Sequence, residues 1–165
     1  DTIMRILPSM PQSLKIMVVG TGEMEDNLVA LSEQLRLQNR VIFTGHQPYK
    51  NIPTLISAAD ICLLYSTLNP TTRDILPIKV YEYLACSRPV LASKLPGLIQ
   101  EVPSGNGIIY TESDHLVQTL KDMMEQNNRL KEGAKARRFV EKHCNWSIIT
   151  ISFEKLLVQI TNLKQ

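Results

Sequence analysis

Four charged side chains fall within the ten residues Arg73-Asp74-Ile75-Leu76-Pro77-Ile78-Lys79-Val80-Tyr81-Glu82. The run leads into Tyr83-Leu84-Ala85 and then an apolar stretch, Pro89-Val90-Leu91-Ala92. Proline suits the first turn of a helix, where its missing N–H has no intrahelical partner, so a helix is expected to start at Pro77. Lys79 and Glu82 then share a face, and Arg73 and Asp74 fall in the loop just before the helix. Cations beside free backbone N–H groups suit a phosphate. A carboxylate one turn on can accept hydrogen bonds from sugar hydroxyls. The pattern points to a ligand with both a phosphate and a sugar. It also fits a solvated helix start carrying an exposed Lys79–Glu82 pair.

Positioning these groups requires a scaffold, and 165 residues are enough for one domain with a sizeable core. The 18 basic and 16 acidic residues nearly cancel, and no arginine-rich or aromatic-basic run is present, which argues against a nucleic-acid surface. Cys62, Cys86 and Cys144 have no paired-ligand spacing and read as reduced thiols of a cytosolic protein, with no disulfide framework or zinc site. No apolar run has the length of a membrane span, and no signal-peptide pattern occurs. The opening residues, Asp1 to Leu7, already look helical.

Apolar runs alternate with helical periodicity. Leu14–Val19, Arg40–Thr44, Ile61–Tyr65, Pro89–Ala92 and Gly107–Tyr110 read as strands. Helices are expected around Met24–Leu35, Ile52–Ala59, from Pro77, and near Leu98–Val102. From His115 the chain reads as helix only, broken near Asn127 and Asn145. Its last segment carries Trp146, Ile149, Phe153, Leu156 and Ile160 as a packing stripe. Continuous apolar strands separated by helices imply a doubly wound, Rossmann-like α/β domain: one parallel sheet, helices on both faces, and a helical C-terminal tail. Ligands of such sheets bind at the carboxyl ends of the strands, where Gly20, Gly22, Gly45, Ser66 and the Asp74–Lys79 segment would gather.

Gly20-Thr21-Gly22 after a strand invites a dinucleotide reading. Glu25 stands where the third glycine is needed, Glu23, Glu25 and Asp26 would repel a pyrophosphate, and Arg40 stands where an acidic ribose ligand is expected. A nicotinamide cofactor is therefore not expected. The glycines serve a turn or the close approach of a ligand.

The order of these motifs resembles the C-terminal, donor-binding domain of GT-B fold glycosyltransferases, family 4 type (glycosyl transferases group 1). Leu14–Gly22 (LKIMVVGTG), Val41–Gly45 (VIFTG), Ala58–Ser66 (AADICLLYS) and Leu76–Ser93 (LPIKVYEYLACSRPVLAS) carry the resemblance, with Asn145-Trp146-Ser147 similar to the family's closing helix. The family's Glu-x7-Glu pair maps onto Asp74 and Glu82. The resemblance implies that Glu82 binds the ribose of a nucleotide-diphosphate sugar, and that Asp74 lies near the transferred sugar as the catalytic residue. N–H groups around Ile75 and Leu76 would cradle the diphosphate, with Thr44 and Gly45 bordering the base beside Gly20 and Gly22. Lys79 matches the lysine of the P-x-K-x-x-E-Y variant, and Arg73 adds a second cation by position. Asp74 is shorter than the family's glutamate. Ser87 replaces a glycine, which a β-carbon allows only at negative φ.

The implied activity is retaining hexosyl transfer in polysaccharide or glycolipid biosynthesis, with the nucleotide-diphosphate sugar as substrate and no cofactor or metal. Residues 1–165 would form one nucleotide-sugar-binding domain, a fragment without its first strand or its N-terminal acceptor domain, and inactive alone. The acceptor, a sugar or a lipid-linked sugar, would come through that other domain, in a cytoplasmic enzyme at the inner face of a membrane. Two other functions fit the same residues: a non-catalytic nucleotide-sugar-binding module with a degenerate site, and a GT-B sugar-nucleotide epimerase, for which His46 would be the nearest histidine.

Overall fold

The computed structural model describes residues 1–162. Along them run α1 (Thr2–Ile6), β1 (Ile16–Val18), α2 (Glu25–Gln34), β2 (Val41–Phe43), α3 (Ile52–Ala58), β3 (Cys62–Leu64), α4 (Lys79–Ala85), β4 (Val90–Ser93), α5 (Pro96–Glu101), β5 (Ile108–Thr111), α6 (Leu116–Met123), α7 (Gln126–His143) and α8 (Trp146–Asn162). All strand pairing is parallel. β4 lies between β3 and β5, with Cys62 opposite Val90 and Val90 opposite Ile108.

Strand β4 is buried along its whole length, and its side chains alternate between two apolar layers. Val90 and Ala92 pack with Val80, Leu84, Leu98 and Phe139, and Leu91 packs with Leu116, Leu120 and Met123 on the other side. Helices α3, α4, α5 and α7 thus cover one face, and α1, α2 and α6 the other. Helix α6 places Leu116, Leu120 and Met123 on one stripe, the spacing that buries a single face. Helix α2 carries Glu25 and Asp26 in its first turn, where the dipole favours acids, and ends at Arg36 in the left-handed region (φ 55°).

Four expectations are corrected. The single sheet is two, β1-β2 and β3-β4-β5, because no described strand bridges β1 and β3. Helix α4 starts at Lys79 with Ile78 as its N-cap, so Pro77 sits ahead of the helix, and its carbonyl accepts the Val80 N–H at 3.0 Å. The stripe on α8 is present but does not pack: none of the helix's residues is buried, and Trp146 is 80% and Phe153 58% exposed.

The fourth correction concerns Ser87, which adopts φ 57° rather than a negative value. The Ser87 N–H donates to the Leu84 carbonyl at 3.0 Å and the Arg88 N–H to the Tyr83 carbonyl at 3.1 Å. This paired pattern closes a helix with a left-handed residue, and the two bonds hold serine in a conformation that glycine takes without strain. Ser87→Gly is expected to stabilise the domain by about 1 kcal/mol, and urea denaturation would read this as a higher midpoint at unchanged slope.

Burial also sets a pH limit. It raises the Cys62 thiol from 9.0 to about 12, and the Tyr83 hydroxyl, also under the influence of Cys62 and Glu82, from 10.0 to about 12. Unfolded, both groups ionise at lower pH than they do in the fold. Their contribution is therefore fully present below pH 9 and is lost as pH rises toward 12. Urea midpoints should fall steadily between pH 9 and pH 11, and a flat or rising midpoint would refute this assignment.

Candidate functional site

Backbone conformation explains two of the site glycines. Gly20 (φ 117°) follows β1 and Gly45 (φ 62°) follows β2, both in the left-handed region. The Gly20 N–H donates to the Gly45 carbonyl at 2.9 Å, joining the two turns at the carboxyl ends of their strands. The Thr44 N–H donates to the Val18 carbonyl at 3.0 Å, and its hydroxyl to the Gly45 carbonyl at 3.2 Å. Gly22 has no positive φ, and a β-carbon there would meet open space, so neither backbone nor packing requires that glycine.

The loop after β3 is built around two residues that sequence reasoning missed. The Asn69 Oδ1 accepts the N–H groups of Thr71 and Thr72, each at 2.9 Å, and the Thr72 hydroxyl donates to the Thr67 carbonyl at 2.6 Å. Asn-Pro is a turn-initiating pair, so the signal was present in Asn69-Pro70. This turn delivers Arg73 and Asp74, whose side chains are 66% and 79% exposed and lie 4.0 Å apart. The loop is anchored from below. The Ser66 N–H donates to the Ser93 hydroxyl at 2.9 Å, and the Gly97 N–H donates to the Arg73 carbonyl at 3.0 Å. A β-carbon on Gly97 would stand 2.9 Å from the Asp74 Cα, so α5 approaches the acidic loop as closely as backbone permits. Ile75 uses its N–H weakly, toward the Thr72 carbonyl at 3.4 Å, and the Leu76 N–H has no protein acceptor among the described residues.

Lys79 and Glu82 occupy the first turn of α4 and line one apolar-walled cleft of about 930 Å³ together with Val19 and Tyr83. Lys79 is exposed and Glu82 half-buried. Among the described residues neither side chain has an ion-pair or hydrogen-bond partner, so the exposed Lys79–Glu82 pair expected of a solvated helix start does not form.

The structure thus sets three groups at the carboxyl ends of the strands: the joined turns of Gly20 and Gly45, the loop through Arg73 and Asp74, and the cleft with Lys79 and Glu82. It does not bring Arg73, Asp74, Ile75 or Leu76 into that cleft. His46 is exposed on the loop after Gly45. Beyond β5, Glu112, Asp114 and His115 place ligand-type atoms within 4.8 Å of one another. All three are exposed, with Lys94 holding Glu112 at 2.8 Å and His115 Nδ1 2.9 Å from Asp114, so the group forms a surface ion-pair cluster.

Parallel strands ending in glycine turns, with an acidic loop and a charged helix start at their carboxyl ends, form an α/β domain of the GT-B type. The fold is similar to that of Anabaena Alr3699/HepE in complex with UDP, with a TM-score of 0.81 at 22% identity over 96% of this chain and 44% of that one. The chain belongs to the family Glycosyl transferases group 1, which matches residues 2–142. Curated relatives include the D-inositol 3-phosphate glycosyltransferase of Mycobacterium leprae, 30% identical over 83% of this chain and 32% of its own length. The putative teichuronic acid biosynthesis glycosyltransferase TuaH of Bacillus subtilis is 32% identical over 53% of this chain and 21% of its own length. The chain spans less than half the length of each of these relatives. Among the described residues, no helix is long and apolar enough to cross a membrane.

Proposed function

We propose that this domain holds the nucleotide-diphosphate sugar donor of a two-domain transferase that builds a polysaccharide or glycolipid. The observation that carries the reading is the pair of Lys79 and half-buried Glu82, without side-chain partners among the described residues, set in the first turn of a helix and lining a large cleft. A carboxylate there accepts hydrogen bonds from the two ribose hydroxyls. The Lys79 ammonium faces the diphosphate from the cleft, and the Leu76 and Ile75 N–H groups and Arg73 meet it from the loop outside the cleft, stabilising its growing charge as it leaves. The joined turns at Gly20, Gly45 and Thr44, with Gly22 alongside, border the base. Asp74, fixed by Gly97 and the Asn69 turn, meets the transferred sugar in a retaining reaction. The donor is a substrate, and no cofactor or metal is invoked.

HepE has been crystallised with UDP and with UDP-glucose, and this supports a nucleotide-sugar donor here. The acceptor enters through an N-terminal domain that closes over the ligand edge, where Leu68, Ile75 and Ile78 stand 58%, 43% and 76% exposed. That closure takes place on the cytoplasmic side, at the inner face of a membrane.

Amide NMR titration with nucleoside diphosphates and their sugars tests the reading. Resonances of Gly20, Gly45, Leu76 and Lys79 are expected to move with the diphosphates and not with the parent nucleosides, and the domain alone is expected to transfer no sugar. Unmoved resonances at saturating diphosphate would overturn the donor role, and turnover by the domain alone would overturn the need for a second domain.

A further inference from the structure

The structure assigns a positioning role to Ser93: its hydroxyl, together with the bare backbone of Gly97, sets where the loop carrying Arg73, Asp74 and the Leu76 N–H stands relative to Lys79 and Glu82. Ser93 ends β4, whose other residues are apolar, and is 7% exposed. A hydroxyl buried this deeply needs a hydrogen-bond partner. The partner is the Ser66 N–H at 2.9 Å. Strand register shows what this bond replaces. Cys62 stands opposite Val90 and Leu64 opposite Ala92, and the Cys62 N–H donates to the Pro89 carbonyl. Donors two residues apart in a parallel ladder meet acceptors two residues apart, so the Ser66 N–H is in step with the Ser93 carbonyl. That carbonyl is taken by the Leu95 N–H at 2.9 Å. The Ser93 side chain therefore stands in for its own backbone. β4 can turn away into α5 while the chain leaving β3 is still held to it.

The same turn holds the far end of the loop. The Gly97 N–H donates to the Arg73 carbonyl at 3.0 Å, and a β-carbon on Gly97 would stand 2.9 Å from the Asp74 Cα. Between these two anchors, Leu95 is buried in the apolar layer that also holds Val80 and Leu84 of α4. The loop and the first turn of α4 are thus referred to one close-packed core. Within the loop, Asn69 and Thr72 close their own turn, so the anchors at Ser66 and Arg73 place that turn as a unit. Ser93 acts through the loop and is not itself a catalytic residue. Its effect on a ligand rests on the donor reading above, whereas its hold on the loop does not.

Three variants of the chain test the assignment. Ser93→Ala removes the acceptor and Ser93→Thr keeps it. Gly97→Ala suits a helix better than glycine but drives a methyl group against the Asp74 Cα. Hydrogen exchange at the Ser66 amide is expected to quicken about tenfold in Ser93→Ala, with the Cys62 and Val90 amides unchanged, and to keep the parent rate in Ser93→Thr. Affinity for a nucleoside diphosphate, read by amide NMR, is expected to fall about five- to tenfold in Ser93→Ala and Gly97→Ala and to hold in Ser93→Thr. At saturation the Gly45 resonance should move as in the parent while the Leu76 displacement shrinks. Unchanged Ser66 exchange in Ser93→Ala overturns the assignment, as does unchanged affinity in both weakened variants. Equal changes at Gly45 and Leu76 also overturn it, because a general loss of stability would act on both alike. A parent that binds no diphosphate overturns the donor reading instead, and Ser66 exchange alone then decides whether Ser93 sets the loop.

Discussion

Replacing Arg40 with methionine is expected to lower the unfolding free energy by roughly 3–5 kcal/mol, a large share of what a domain of this size has. Arg40 is 7% exposed and has no acidic partner among the described residues. Its guanidinium instead donates to backbone carbonyls: Nη1 to Leu7 at 2.9 Å, Nη2 to Pro11 at 2.7 Å and to Met10 at 3.5 Å, and Nε to Leu14 at 3.1 Å. These carbonyls end the first helical segment and the loop into β1, where the dipole of the last turn favours a cation. Methionine keeps much of the stem's packing but takes the guanidinium from four carbonyls at once, leaving the Leu7 carbonyl with the Met10 N–H alone and the Met10 carbonyl with no donor, at about 1–3 kcal/mol for such an unmet group. Arg40→Lys should fall in between, because one ammonium cannot replace a planar fork that reaches several acceptors. Chemical denaturation at neutral pH reads all three proteins. Equal stability of the methionine variant and the parent would mean that the fork carries no net energy.

Glu82→Ala is expected to raise the dissociation constant for a nucleoside diphosphate by about 10- to 100-fold, the loss of charged hydrogen bonds worth roughly 1.5–3 kcal/mol. Among the described residues the side chain has no ion-pair or hydrogen-bond partner, so the fold should lose little, and a thermal scan should place the variant close to the parent. A dideoxyribose analogue isolates the cause. It should bind the parent as poorly as the normal nucleotide binds the variant, with no further loss when both changes are combined. If the analogue and the variant losses instead add, Glu82 acts on some part of the nucleotide other than the ribose.

Element order was legible because each strand is a short apolar run bounded by glycine, proline or a helical stripe, and the structure places every one of them. The Gly20 and Gly45 turns were equally readable, since their backbone demands glycine. Three features were not. The break between β1 and β3 depends on which strands lie side by side in space, which the local pattern of neither strand encodes. The left-handed conformation of Ser87 is imposed by bonds from Ser87 and Arg88 back to α4, and serine carries no mark of it. Arg40 looked like a misplaced cofactor ligand, while its role depends on carbonyls about 30 residues earlier in the chain. In the candidate site, Lys79 and Glu82 were singled out by their spacing. Gly97 was missed because its role is a close approach across space to Asp74.

Helix α7 meets the body through two contacts that leave no room for a side chain. A β-carbon on Gly133 would lie 2.4 Å from the Ser87 carbonyl oxygen, and one on Gly107 2.4 Å from the Ala136 β-carbon. Both contacts lie at the turns that enter β4 and β5, away from the edge where the ligand loops gather. A helix seated this tightly cannot slide or rotate without collision. The amino-terminal rim of β4 and β5 is therefore clamped by α7, while at the carboxyl-terminal rim the acidic loop is held by hydrogen bonds through Ser93 and Gly97 and by the close approach of Gly97 to Asp74. The rim clamped by α7 thus gives the loops at the other end of the strands a fixed base.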